Sequence, residues 1–112
     1  MRKLITEQEV NELLEEKYCI IYARSESQNM IDYQIRVCEE YAEAKGYTVI
    51  GEIVDKHGIA NRNEAIAEAE AGNYNVFIAM NASRIGRRLP DVVGFISKLE
   101  ALNVKVEVVN LE

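Results

Sequence analysis

The chain has 112 residues, 48% hydrophobic and 29% charged, which suits one small domain built on a single core. Its 19 acidic residues outnumber 13 basic ones, for a formal net charge of -6; this argues against strong autonomous binding to nucleic acid, where phosphate neutralisation dominates affinity. No apolar run approaches the roughly 20 residues that a bilayer crossing needs, and Met1–Ile5 leads into acidic residues with no signal-peptide core, so a cytoplasmic protein with no membrane partner is expected.

Thr6-Glu7-Gln8-Glu9 has the spacing of a capping box, and Val10, Leu13 and Leu14 share a face, which predicts a short helix to about Lys17. Cys19-Ile20-Ile21-Tyr22-Ala23 is apolar without alternation, the pattern of a strand buried on both faces. After the polar stretch Arg24–Asn29, the positions Ile31, Ile35, Cys38 and Ala42 fall at helical spacing and Gly46 supplies a stop. Tyr47–Ile50 and Glu52–Val54 read as one strand interrupted or bulged at Gly51. A loop from Asp55 to Asn61 precedes a short helix over Asn63–Ala71, ended by Gly72.

Val76-Phe77-Ile78-Ala79-Met80 is a third buried strand, and Asn81–Leu89 reads as a polar loop. Pro90 suits the first turn of a helix whose inner face is Val92, Phe95, Ile96, Leu99 and Leu102. Val104, Val106 and Val108 alternate with Lys105 and Glu107, which predicts a half-exposed edge strand with the charged pair outward. Cys19 and Cys38 form no CxxC pair, lack a Cys/His cluster, and read as buried free thiols; no metal and no cofactor are expected. His57, the single histidine, reads as a surface loop residue.

Strands separated by helices imply right-handed βαβ units. The expected fold is therefore α/β, a mainly parallel four-stranded sheet flanked by helices on both faces, over residues 18–112, with an extra N-terminal helix over residues 1–17. Parallel sheets take ligands in the crevice outside the carboxyl ends of their strands. The loops after Ala23, Val54 and Met80 should share that rim, which brings Arg24, Arg62, Arg84 and Arg87 together from distant parts of the chain. Guanidinium groups are planar, permanently charged and able to hold a phosphate by paired hydrogen bonds. Loop arginines are commonly solvated surface residues, but Arg84-Ile85-Gly86-Arg87-Arg88 concentrates positive charge in an otherwise acidic chain.

The order of these motifs resembles the N-terminal catalytic domain of the serine site-specific recombinases, the resolvase/invertase family. Tyr22-Ala23-Arg24 is similar to the family's YxRxS opening, Gln34 to its recurrent helix glutamine, and Tyr47–Asp55 to its second strand. Arg62 matches the arginine that opens the next helix, and Ser83-Arg84-Ile85-Gly86-Arg87 matches the DRLGR motif with serine in place of aspartate. The resemblance runs from about Tyr18 to the end. It implies attack of a serine hydroxyl on a DNA phosphodiester, a phosphoserine link, and religation after strand exchange, with no cofactor. It further implies that Arg24, Arg62, Arg84 and Arg87 clamp the scissile phosphate, and Arg88 extends the DNA phosphate-binding set.

Two departures matter. The family's nucleophile lies two residues after the arginine, where this chain has Glu26; Ser25 and Ser27 are the alternatives in a shortened loop, with Ser27 leading because it lies farther from the strand. Family members also continue into a long helix that builds the dimer and then into a DNA-binding module, so this chain is expected to be a fragment or a stand-alone catalytic domain. DNA is the expected partner, with a homodimer or higher homo-oligomer, and a separate DNA-binding domain or protein for delivery. The alternative is a catalytically inactive interaction or dimerisation module that keeps the fold. A small phosphate- or nucleotide-binding protein is a third reading, which no GxGxxG or P-loop pattern supports.

Overall fold

Five consecutive apolar side chains project alternately to both sides of a strand, so cover is needed on both. In the computed structural model, which describes residues 6–7 and 15–110, that strand is β1 (Tyr18–Arg24), and Cys19 through Ala23 are all buried. It pairs in parallel with β2 (Thr48–Asp55) on one side and β3 (Val76–Ala79) on the other; β4 (Lys105–Val108) extends the sheet in the order β2-β1-β3-β4. The expected bulge is present: Cys19 pairs Val49 but Ile20 pairs Gly51, so Ile50 is the extra residue. The helix expected up to Lys17 falls largely outside the described residues.

The strand order dictates where the helices go. A right-handed crossover from β1 to β2 puts α1 (Gln28–Lys45) on one face. The next two crossovers run the opposite way along the sheet, so α2 (Glu64–Glu70) and α4 (Leu89–Ala101) cover the other face. Two cores result. Under α1 lie Cys19, Ile21, Cys38, Ala42, Val76 and Ile78, and the small Cys38 and Ala42 let the helix approach the sheet closely. On the other face Tyr22 stacks on Phe77 with ring centroids 5.7 Å apart, and Phe77 meets Phe95 edge-on at 5.2 Å.

The caps explain why α1 starts and stops where it does. The Ser27 hydroxyl accepts from the Met30 N–H at the amino end. At the carboxyl end Gly46 adopts φ +77°, a conformation that costs a side-chain-bearing residue energy, and the Tyr47 N–H closes back on the Ala42 carbonyl at 2.9 Å.

Two expectations need correction. The stretch Asn81–Leu89 is not only polar loop: Ala82–Ile85 forms a helical turn, α3, which tucks Ile85 fully into the core. Glu107 does not face solvent. It is 9% exposed and accepts hydrogen bonds from Tyr41 and Tyr47 at 2.5 and 2.6 Å, because the face opposite Val106 and Val108 is itself covered by α1. Burial pushes the Glu107 carboxyl up, but the two phenols and the nearby lysines outweigh it and the net direction is down. Both cysteines are buried and free, and burial raises their thiols to about 11 for Cys19 and about 12 for Cys38. His57 is exposed in its loop. Among the described residues no helix is long and apolar enough to cross a membrane, and no group of three or more His, Cys, Asp or Glu gathers to hold a metal ion.

Candidate functional site

The chain leaves β1 toward one face and β3 toward the other, so their carboxyl ends are the switch point where a crevice must open. Arg24 closes β1, and Ser83 to Arg88 follow β3. The two loops are stitched reciprocally through backbone carbonyls. Arg24 Nε donates to the Arg84 carbonyl at 2.9 Å and its Nη2 to the Ser83 carbonyl; Arg84 Nη1 donates back to the Arg24 carbonyl at 3.1 Å. Fully buried Gln34 fixes the Arg24 backbone from α1, its Oε1 accepting from the Arg24 N–H and its Nε2 donating to the Arg24 carbonyl, both at 3.0 Å.

A cavity of about 500 Å³ opens here, lined by Arg24, Ser83, Arg84, Arg87, Arg88 and Leu89 among others. A second, of about 390 Å³, is lined by Arg24, Gly58, Ile59, Arg87, Arg88 and Asp91. Three arginines are thus common to both. Among the described residues no carboxylate forms an ion pair with Arg24, Arg84, Arg87 or Arg88, and Arg84 Nε, like Arg62 Nε beneath it, is buried without a hydrogen-bond partner. The rim therefore holds uncompensated positive charge and a stranded donor, a combination that calls for an anion. A concavity of about 600 Å³ elsewhere on the molecule mixes Glu15, Glu100, Lys17 and Lys105 and has no such bias.

Arg62 is placed differently. It is 6% exposed, and its Nη1 donates to the Ile85 carbonyl at 2.6 Å. Nη1 and Nη2 meet the two Asp91 carboxylate oxygens at 2.9 and 3.0 Å, and the guanidinium lies over the Phe95 ring at 4.4 Å. Those bonds hold the Asp91 carboxyl below its ordinary range. The Arg62 backbone N–H donates to Asp55, whose buried carboxylate also accepts from the Tyr22 hydroxyl at 2.7 Å and the Asn61 N–H at 2.9 Å. The turn that carries Arg62 is therefore pinned to the end of β2.

Neither Ser25 nor Ser27 lines either cavity. The Ser25 hydroxyl accepts from the Ser27 N–H at 3.1 Å, while the Ser25 N–H donates to the Asp55 carbonyl. Ser27 is the α1 cap. Glu26 is exposed and forms no ion pair with any described residue, so it does not fill the arginine crevice. The structure thus gathers Arg24, Arg84, Arg87 and Arg88, sets Arg62 beneath them, and leaves Ser25 and Ser27 at the margin.

Sequence reasoning missed Asp91 and the reason for Gly86. An aspartate just after Pro90 reads as an ordinary first-turn acid, and nothing local announces a partner 29 residues upstream. Gly86 has φ -174°, extended backbone open to any residue; what it lacks is room, since a Cβ there would lie 2.5 Å from Asp91 Oδ2 and 3.3 Å from Arg62 Nη1.

The parallel four-stranded sheet with helices on both faces and an arginine-lined switch point matches the α/β class to which resolvase-type N-terminal domains belong. The family model described as the resolvase N-terminal domain matches residues 19–112, and the chain belongs to that family. Solved structures agree on the fold. The catalytic domain of ISC1926 TnpA, an IS607-like serine recombinase, superposes with a TM-score of 0.76 at 24% identity over 84% of this chain and 71% of its own. The N-terminal catalytic domain of TP901-1 integrase gives 0.78 at 20% identity, over 84% and 79%. A resolvase family site-specific recombinase from Streptococcus pneumoniae gives 0.75 at 19% identity, over 84% and 72%. No curated protein matches the chain.

Proposed function

We propose that this domain cleaves and rejoins DNA strands in site-specific recombination, with a serine as nucleophile and the arginine rim as the phosphate site. The observation that carries the reading is the convergence of Arg24, Arg84, Arg87 and Arg88 on one crevice without a carboxylate among their described partners. A phosphodiester seated there gains hydrogen bonds from Arg24 and Arg84, already held by backbone carbonyls, and from the exposed Arg87 and Arg88, and these donors stabilise the extra charge as displacement proceeds. The serine oxygen forms a bond to phosphorus as the P–O bond to the departing strand breaks, and the proton lost by the serine hydroxyl ends on the departing oxygen, which leaves as an alcohol. Religation runs the same exchange backward and frees the serine.

Ser25 is the better-supported attacker. It adjoins Arg24 and its hydroxyl proton is not committed by any described bond, whereas drawing Ser27 into the crevice would uncap α1 at a cost of about 1 kcal/mol. That reverses the order favoured by position alone. DNA is the substrate class, the working form is a homo-oligomer, and the acidic balance of the domain calls for a separate DNA-binding element for delivery.

The second reading, an inactive module that keeps the fold, is favoured by one observation: neither Ser25 nor Ser27 lines the crevice. Incubation with a nicked or mismatched suicide duplex, followed by denaturing gel electrophoresis, separates the two. A covalent protein–DNA adduct that disappears with Ser25→Ala and persists with Ser27→Ala supports the enzyme and its nucleophile. An adduct lost only with Ser27→Ala moves the role to Ser27. Absence of any adduct with DNA that the full protein demonstrably binds would leave the inactive module.

A further inference from the structure

The guanidinium of Arg62 is turned inward, and its partners define a strut across three elements: the turn after β2, the loop after β3 and the first turn of α4. We propose that Asp91 is a positioning residue: through its two-bonded pair with buried Arg62 it fixes the loop bearing Arg84, Arg87 and Arg88, and Arg62 acts through that loop without touching the phosphate. This deepens the phosphate reading above and rests on it.

The bonds are directional. Arg62 Nη1 holds the Ile85 carbonyl at 2.6 Å, so it grips the loop between Arg84 and Arg87 at its midpoint. Asp91 then fixes the guanidinium from α4 with one bond to each Nη atom, at 2.9 and 3.0 Å, and Phe95 covers a ring-like face at 4.4 Å. With 6% of the residue exposed, a phosphate could reach those Nη atoms only by displacing Asp91. Gly86 sits against the pair, and the space a Cβ would need is already taken by Asp91 Oδ2 at 2.5 Å and Val92 Cγ2 at 3.0 Å. The glycine between Arg84 and Arg87 is therefore required by the strut, and the motif and Asp91 form one unit.

Charge matters as well as shape. A lone buried guanidinium is costly, and removing one partner of a buried pair strands the other. Asp91 thus keeps a further loop-organising cation in place without adding net charge to the crevice.

Two measurements on the full chain test this. Hydrogen exchange, with no DNA present, should show residues 84–88 opening about tenfold more often in Asp91→Asn and in Gly86→Ala, while β1 and β3 amides keep their protection. Asp91→Glu, which retains the carboxylate, should recover part of that protection. Binding to a random-sequence DNA duplex across a salt series supplies the second readout. Arg87→Gln should lower the slope of log K against log salt by about one, as loss of a phosphate contact does, whereas Asp91→Asn and Arg62→Gln should weaken binding with the slope unchanged. Should Arg62→Gln fail to fold, Asp91→Asn and Gly86→Ala decide alone. Unchanged exchange at 84–88 in both variants overturns the inference, as does tighter DNA binding by Asp91→Asn, which would make Asp91 a competitor for the phosphate. If the wild type binds no duplex DNA, the phosphate reading falls, and the exchange data still decide whether Asp91 positions the loop.

Discussion

Gln34 ties the helix after β1 to the residue that ends β1, and its removal is the sharpest test of how the rim is built. Gln34 has no exposed surface, and its amide bonds the Arg24 N–H and carbonyl at 3.0 Å each. Replacement by leucine keeps most of the volume and removes both bonds. The Arg24 carbonyl retains Arg84 Nη1 at 3.1 Å, so the loss falls mainly on the Arg24 N–H, left without its acceptor. A buried donor stranded in this way costs about 1–3 kcal/mol, and the change as a whole is expected to cost about 2 kcal/mol. With an unfolding entropy of about 2.1 cal/mol/K per residue, that lowers Tm by roughly 8 °C for a domain of this size. Urea unfolding followed by circular dichroism measures it, and an unchanged m-value would show that the loss is in the native state. A difference below about 0.5 kcal/mol would mean that water replaces the glutamine and that the Arg24 backbone is not held from α1.

Tyr22→Phe removes the hydroxyl that donates to Asp55 at 2.7 Å in a fully buried position, with Asp55 keeping its two backbone donors; a loss of about 1 kcal/mol in urea unfolding is expected, and no loss would mean the bond is compensated. Acid should expose Glu107: its folded-state carboxyl lies below the ordinary 4.5, so its stabilisation is complete above that value and fades as pH falls through the lower, folded-state value. Unfolding free energies of wild type and Glu107→Gln should therefore converge as the pH drops below 4.5, and a constant gap would contradict the lowered carboxyl.

The sheet was legible because its signals are local and redundant. Uninterrupted apolar runs at Cys19–Ala23 and Val76–Met80 can be satisfied only by strands covered on both faces, and Gly51 marked the bulge that shifts the β1–β2 register. The arginine rim was legible one step removed, because parallel topology sends every post-strand loop to the same edge. What the sequence left open shares a cause. Glu107 was read outward because alternation in an edge strand distinguishes two faces but not whether the second face is dry, and that depends on Tyr41 and Tyr47, about sixty residues away. Arg62 read like its neighbours because sequence gives a side chain's place along the chain and not its direction. Only the pairing with Asp91 turns it inward.

How the rim arginines are held bears directly on what they can bind. The chain has 19 carboxylates available, yet the guanidinium groups of Arg24 and Arg84 are oriented by main-chain carbonyls of Ser83, Arg84 and Arg24. A carbonyl accepts a hydrogen bond and fixes direction without cancelling charge; a carboxylate does both. Arg62, the one arginine of the set paired to a carboxylate, is also the one withdrawn from the crevice. The difference is electrostatic: an arginine held by neutral acceptors keeps its field for an arriving anion, whereas a carboxylate partner offsets part of it. An acidic domain can present a cationic rim on this principle, because its negative charge lies on exposed helix faces such as Glu39, Glu40 and Glu43 of α1, while at the switch point the acceptors are almost all backbone.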